Sequence, residues 1–281
     1  MYLLAPYLQQ RADTLPHHLQ RQPGRTARHA TDRMNPFVSI IIPFYGTADP
    51  QLLQRCLDSV GQQQTDERIE VITVDDAGNS PGGARNNGIR QATGDYLLFV
   101  DADDYLLPDC LARCLPCLRQ HTPDIFSFGM VRTDKGDARP PMTVRRYPSG
   151  AAFMSRHNFL GTVWRHFFRR QFLAEQALLF SEGRYHQDED FLLKAYSLAG
   201  ATLVTDTPFY VYVRHAASIT HASALAMRRR RLSDFRAMLG RVSAHIRTLP
   251  PGSLARKAAR RRYFFLRIDY MRQIIRNICR P

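Results

Sequence analysis

Gly94-Asp-Tyr-Leu-Leu-Phe-Val-Asp-Ala-Asp-Asp104 is the stretch that decides the fold. Tyr96 to Val100 is a short, continuous apolar run, the pattern of a strand buried on both faces, and it runs directly into acids at 101, 103 and 104. Upstream, Phe37-Val-Ser-Ile-Ile-Ile-Pro43 and Ile69 to Val74 have the same non-alternating, β-branched character, and the second ends in Asp75-Asp76. Between them Leu52, Leu53, Cys56, Leu57 and Val60 recur at helical spacing. A Gly/Pro/Asn loop at 77–83 leads into a predicted helix from Ala84 to Ala92. A helix from Pro108 to Gln120 and a strand from Asp124 to Met130 complete the regular section. Strands and helices alternate in this way when a mostly parallel sheet is flanked by helices on both faces, so the fold class expected is α/β. Ligands in such sheets bind beyond the carboxyl ends of the strands, and two strands here end in acids.

The second half is less regular. Ala151 to Leu173 reads as two helical pieces, Asp188 to Leu198 as a helix, and Leu203 to Tyr212 as a strand broken by Pro208. From Ser223 onward two helices are predicted, separated by the turn Leu249-Pro-Pro-Gly252. Cys110, Cys114 and Cys117 have the C-x3-C-x2-C spacing of an iron–sulfur motif. They follow the helix-start pair Pro108-Asp109 and interleave with Leu111, Leu115 and Leu118, which favours thiols buried on a helix.

The chain has 281 residues, 44% of them hydrophobic, and 39 Lys plus Arg against 25 Asp plus Glu, a net charge of +14. The excess is local: residues 222–281 hold fifteen Arg and one Lys against two Asp. Three units are expected: a tail at 1–35, a mildly acidic body at 36–221, and a basic helical segment at 222–281. Met1 to Leu4 lacks the basic flank and long apolar stretch of a signal peptide. No apolar run has the length of a transmembrane span, which removes the integral-membrane class. In the basic segment Tyr263, Phe264, Leu266, Ile268, Tyr270, Met271, Ile274 and Ile278 alternate with Arg, the pattern of amphipathic helices. Two readings stand for them: docking on the body with Arg facing water, or lying on an anionic membrane surface. A nucleic-acid partner is not expected, because the body is acidic and no nucleic-acid-binding module is evident.

Asp101 and Asp103 leave their strand two residues apart, so alternation sends both carboxylates the same way. Two hard oxygens on one side suit Mg²⁺ or Mn²⁺ bridging a diphosphate, while a helix cap or a surface turn is the alternative. Asp75-Asp76 at a strand end could accept from a ribose hydroxyl or a base N–H. Gly82-Gly83-Ala84-Arg85 opens a helix toward the same edge. The chain contains neither G-x-G-x-x-G nor the P-loop pattern, so NAD and P-loop readings have no support.

Taken in order, Val38-Ser-Ile-Ile-Ile-Pro-Phe-Tyr45, Cys56-Leu-Asp-Ser-Val60, Val74-Asp-Asp76, Ala84-Arg-Asn-Asn-Gly88 and the 94–104 segment resemble the family 2 glycosyltransferases. Gly161-Thr-Val-Trp164, Phe168-Arg-Arg170, Phe180-Ser-Glu-Gly183 and Asp188-Glu-Asp-Phe191 extend the resemblance to bacterial members that build surface polysaccharides. The resemblance implies a GT-A fold and an inverting transfer in polysaccharide biosynthesis. A divalent metal (Mn or Mg) would assist it, the donor would be a nucleotide-diphosphate-sugar, with a UDP-sugar expected, and the acceptor a saccharide or a lipid-linked molecule. It places Pro43 and Tyr45 in the nucleotide pocket, Asp76 on the base or ribose, Arg85 on the nucleotide and Asp101 on the ribose side. Asp103 would hold the metal and Asp188 would be the catalytic base, with Glu189 and Asp190 as the alternatives for that role. Trp164 is a candidate for stacking on a sugar, and His215 or His221 for the metal shell, against core and surface readings respectively. The sequence departs from the family pattern at Gly46, His166 and Gln187, and in the short interval between Asp76 and Arg85. A non-catalytic relative that binds a nucleotide or a partner is therefore the alternative function. The location expected is the cytoplasm, with the basic segment against the inner face of the cytoplasmic membrane.

Overall fold

The structure, a computed structural model, describes residues 35–44, 49–75, 80–132, 141–213 and 225–278. Its centre is an eight-stranded mixed sheet built from β1 (Val38–Phe44), β2 (Ile69–Asp75), β3 (Tyr96–Phe99), β4 (Tyr105–Leu106), β5 (Ile125–Val131), β6 (Arg145–Tyr147), β7 (His166–Arg169) and β8 (Thr202–Val211). The order is β2-β1-β3-β7-β5-β8-β4, with β6 paired to β8. β1 pairs in parallel with β2 and β3, and β5 in parallel with β8; β7 is antiparallel between β3 and β5.

Among the described residues eight α-helices cover the sheet: α1 (Pro50–Gly61), α2 (Ser80–Gln91), α3 (Cys110–His121), α4 (Gly150–Arg156), α5 (Arg170–Glu175), α6 (Gln187–Leu198), α7 (Leu225–Thr248) and α8 (Leu254–Ile278). The continuous apolar character of β1 is explained by two cores, one on each face. Val38, Ile40 and Ile42 pack with Leu53, Cys56 and Val60 of α1 and with Cys110, Leu111, Cys114 and Leu115 of α3. Ile41 points the other way, into a core with Phe191, Leu192 and Ala195 of α6. The Cys110–Cys117 spacing is thus a helix face: Cys110 and Cys114 are buried free thiols and Cys117 is half-buried.

Most predicted elements appear within a residue or two of their expected ends. The exceptions have identifiable causes. The segment predicted as loop at 77–83 is already helical from Ser80, whose φ is positive (86°). The stretch 151–173 contains, besides α4 and α5, a 3-10 turn at Val163–Arg165 and the central strand β7. β7 is all aromatic or basic in sequence, His-Phe-Phe-Arg, and too short to show a period, so burial between β3 and β5 decides its conformation. Pro208 does not break β8; the pairing with β5 shifts register around Gly129 opposite it.

The two C-terminal helices dock on the body. Phe235, Met238, Val242 and Ile246 of α7, with Ala258, Ala259 and Leu266 of α8, are buried in the same core as α6. Gly252 supplies the positive φ (75°) of the turn between them. Charged pairs fix the docking. Asp190, 1% exposed, accepts from Arg241 Nε at 2.7 Å and pairs with Lys194 at 3.0 Å, and Asp234 of α7, 2% exposed, pairs with Arg184 at 3.1 Å. The pairing holds the Asp190 carboxyl below the usual range even though burial opposes it. No helix among the described residues is long and apolar enough to cross a membrane.

Candidate active site

β1, β2 and β3 run parallel, so their carboxyl ends share one edge. Pro43 is half-buried there, opposite Val74 of β2. Tyr45 and Asp76, which follow β1 and β2 in sequence, lie outside the described residues, and so do Gly46, His215 and His221.

β3 releases the chain into the turn 101–104, closed by the Asp104 N–H donating to the Asp101 carbonyl at 3.0 Å. Tyr210 of β8 locks this turn. Its hydroxyl accepts from the Asp101 N–H at 3.1 Å and donates to Asp104 Oδ2 at 2.7 Å, while the Val213 N–H donates to Asp104 Oδ1 at 2.7 Å. Trp164 stacks on Tyr210, with ring centroids 4.2 Å apart and the indole 4% exposed. Of the two readings of Trp164, sugar platform or core residue, the core one describes it: it stacks on Tyr210 and Tyr212. Tyr210 itself carries no motif in the sequence, where it reads as one more aromatic of a strand.

One carboxylate oxygen from each of Asp101, Asp103 and Asp104 lies within 4.8 Å of the others. Burial raises the Asp101 carboxyl above its usual range, with the Asp103 and Asp188 charges adding and Arg85 opposing. Burial pushes Asp104 up to about 8, with Asp101 adding to it. Carboxylates that repel one another in this way form a donor set suited to a hard divalent cation.

α2 brings Arg85 onto the cluster from the opposite core. Its guanidinium, 6% exposed, donates through Nη2 to Asp101 Oδ1 at 2.7 Å and through Nη1 to Asp188 Oδ1 at 3.1 Å. The resemblance assigns Arg85 to the nucleotide; in the structure its two terminal nitrogens are on carboxylates. Asp188 is in the first turn of α6, 19% exposed, and burial raises its carboxyl while Arg85 and the Val163 N–H hold it down. Gly82 of α2 lies against the Ser181 carbonyl, where a Cβ would stand 2.8 Å away, and beside the movable Gln187 side chain of α6. Asn86 pins the intervening chain by donating to the Phe180 carbonyl and accepting the Phe180 N–H.

Of the three acids that competed for the base position, only Asp188 faces the Asp101 cluster. Glu189 pairs with Arg262 of α8, and Asp190 with Arg241, Lys194 and Ser181. Arg262 and Arg241 could not be singled out in the sequence, among the fifteen arginines of residues 222–281.

The model of Glycosyl transferase family 2 matches residues 39–81 and 77–178. The chain belongs to glycosyltransferase family 2. Among curated relatives, the uncharacterized glycosyltransferase EpsJ of Bacillus subtilis is 29% identical over 66% of this chain and 64% of its own length. The succinoglycan biosynthesis protein ExoO of Rhizobium meliloti is 31% identical over 70% of this chain and 58% of its own. The chain thus spans less than two thirds of either relative. Among solved structures, Staphylococcus aureus TarS (residues 1–349) in complex with UDP-GlcNAc superposes with a TM-score of 0.59 at 20% identity, covering 73% of this chain and 66% of that one. The likeness shows the fold to be GT-A-like, a mixed sheet between helices, as the resemblance implied.

Replacing Arg85 with Gln removes the charge between two part-buried carboxylates. NMR titration of the Asp side chains should then find Asp101 and Asp188 moved further up from their already raised positions. Unfolding in urea at pH 8 should show a loss of about 3–5 kcal/mol. That loss should shrink as pH falls through the raised folded-state values, where the stranded groups protonate. A variant with unchanged titrations contradicts the assignment.

Proposed function

We propose that the protein transfers a sugar, with inversion, from a UDP-sugar to a hydroxyl of a saccharide or lipid-linked acceptor in the biosynthesis of a bacterial polysaccharide. The observation that carries the proposal is the bridge Asp101–Arg85–Asp188, which sets a candidate base beside a candidate metal cluster at the end of β3. Family membership and the UDP-GlcNAc held by TarS support the donor class.

The acceptor hydroxyl attacks the anomeric carbon from the side opposite the diphosphate; the new C–O bond forms as the bond to the phosphate oxygen breaks. Asp188 takes the hydroxyl proton and passes it to solvent. Burial raises its pKa, which makes it a stronger base than a surface aspartate, while Arg85 opposes that rise and aims the carboxylate. Arg85 acts as a positioning residue. Pro43 at the end of β1 would bound the nucleoside, with Tyr45 and Asp76 in the roles that the family resemblance implies. A divalent cation held by Asp103, with Asp101 and Asp104 beside it, would supply positive charge to the departing diphosphate.

Calorimetry with UDP should give Mn²⁺-dependent binding that falls at least tenfold in Asp103→Asn, and hydrolysis of the matching UDP-sugar should fall about 100-fold or more in Asp188→Asn. Silence of the wild type across UDP, GDP and dTDP would contradict the proposal and favour a non-catalytic relative.

The outer face of α8 supports a peripheral location. Lys257, Arg260, Phe264, Arg267, Met271 and Ile275 follow at three- and four-residue steps and are all exposed, Phe264 at 59%. Alternating cations and apolar side chains on one stripe complement an anionic lipid surface. The full chain should co-sediment with vesicles containing phosphatidylglycerol and not with pure phosphatidylcholine. Binding should weaken at least tenfold in Phe264→Glu/Met271→Glu. Equal recovery on both vesicle types, or no loss in the double variant, would refute it.

A further inference from the structure

A cavity of about 370 Å³ lies where the start of α6 meets α7 and α8, and nothing in the reaction so far uses it. It adjoins the candidate base through two elements. Glu189, which lines it, follows Asp188 on α6, and Gly161, which also lines it, is two residues before Val163, whose N–H faces Asp188 Oδ2 at 3.5 Å. Gly161 is what lets Glu189 lie there, since a Cβ would stand 2.1 Å from Glu189 Oε1.

The wall has the chemistry of a carbohydrate site. Glu189 and Asp269 offer carboxylate acceptors and Arg262 and Gln273 offer donors, above buried Phe235 and Leu266. The Glu189–Arg262 pair is mostly buried, its side chains 15% and 10% exposed. Even so, Glu189 Oε2 and Arg262 Nε, together with His186 Nε2 on the same wall, have no hydrogen-bond partner among the described residues. Unmet buried polar atoms are costly, so a polar ligand that reorders the pair gains from satisfying them. Arg272 and Arg276 also line the cavity; by helical phase they lie between its wall and the exposed stripe of α8. Arg272 pairs with Asp269, whereas Arg276 is exposed and pairs with no acid among the described residues. Three arginines against two acids leave this side cationic.

We infer that this cavity is the acceptor subsite and that it takes a phosphate-bearing saccharide, sugar against Glu189 and Gln273 and phosphate toward Arg276. The inference rests on the transferase reading above and adds the acceptor class to it. The phosphate would belong to a lipid-linked saccharide or to a soluble or polymeric sugar phosphate.

Calorimetry of the full chain, with UDP and Mn²⁺ present to fill the donor site, tests it with hexose 1-phosphates (glucose, galactose, mannose and N-acetylglucosamine), the free hexoses and inorganic phosphate. At least one hexose 1-phosphate should bind, and better than its free hexose and than inorganic phosphate. Its affinity should drop at least tenfold in Arg276→Ala and about fivefold in Gln273→Ala, with UDP affinity within twofold of the wild type. The inference is overturned if no sugar phosphate binds, if inorganic phosphate binds as well as the best of them, or if both variants bind normally. Loss of UDP binding by the wild type bears on the donor reading alone, because the dependence on Arg276 and Gln273 still reports on the cavity. A polyprenyl-diphosphate saccharide in vesicles that binds at least tenfold tighter than the hexose 1-phosphate assigns the lipid-linked source; equal affinity assigns the soluble one.

Discussion

A buried guanidinium needs its charge matched within hydrogen-bond reach, and Arg85 meets that need with two carboxylates from distant parts of the chain. Asp101 arrives on the turn after β3 and Asp188 on the first turn of α6, 87 positions later in the sequence. Much of the surrounding structure serves to bring them to one side chain. Gly82 lets α2 lie against the Ser181 carbonyl, Asn86 clamps the chain at Phe180, and Tyr210 holds the Asp101 N–H from the far side of the turn. Burial raises both carboxyls while Arg85 opposes the rise, so the bridge offsets part of the cost of holding two buried acids within reach of each other.

The first turn of α6 extends the same logic to the C-terminal helices. Asp188, Glu189 and Asp190 are consecutive, and the helix sends each about 100° from the last. They meet Arg85 of α2, Arg262 of α8 and Arg241 of α7 respectively. Three acids at a helix N-terminus also suit its dipole. The basic segment is thereby tied into the wall of the site, and its charge divides into an inner set that pairs with acids of the body and an outer set that faces solvent. The docking reading describes α7 and one face of α8, whose apolar residues are core, while the Phe264 stripe stays exposed.

The sheet was legible because buried parallel strands are continuous apolar runs with acids at their ends, and the Asp101–Asp104 turn carries its chemistry in consecutive residues. β7 was not legible: four residues, His-Phe-Phe-Arg, become a central strand only through burial between partners far apart in the chain. The choice among Asp188, Glu189 and Asp190 could not be read either, since it depends on which arginine each meets. Arg85 drew notice as a basic residue near a phosphate-binding edge, and its pairing with two carboxylates became visible only once α2 and α6 were in place. The cavity beside Glu189 has no sequence motif, because its wall combines α6, α7, α8 and the 161 loop.

The most direct test of the account is a double-mutant cycle between Arg85→Met and Asp188→Asn, read as unfolding free energy in urea at pH 7.5. If the guanidinium organises the site as described, the two changes will be strongly non-additive, with a coupling of about 1–3 kcal/mol. Additivity to within about 0.5 kcal/mol would show that Arg85 and Asp188 do not depend on each other, and would contradict it.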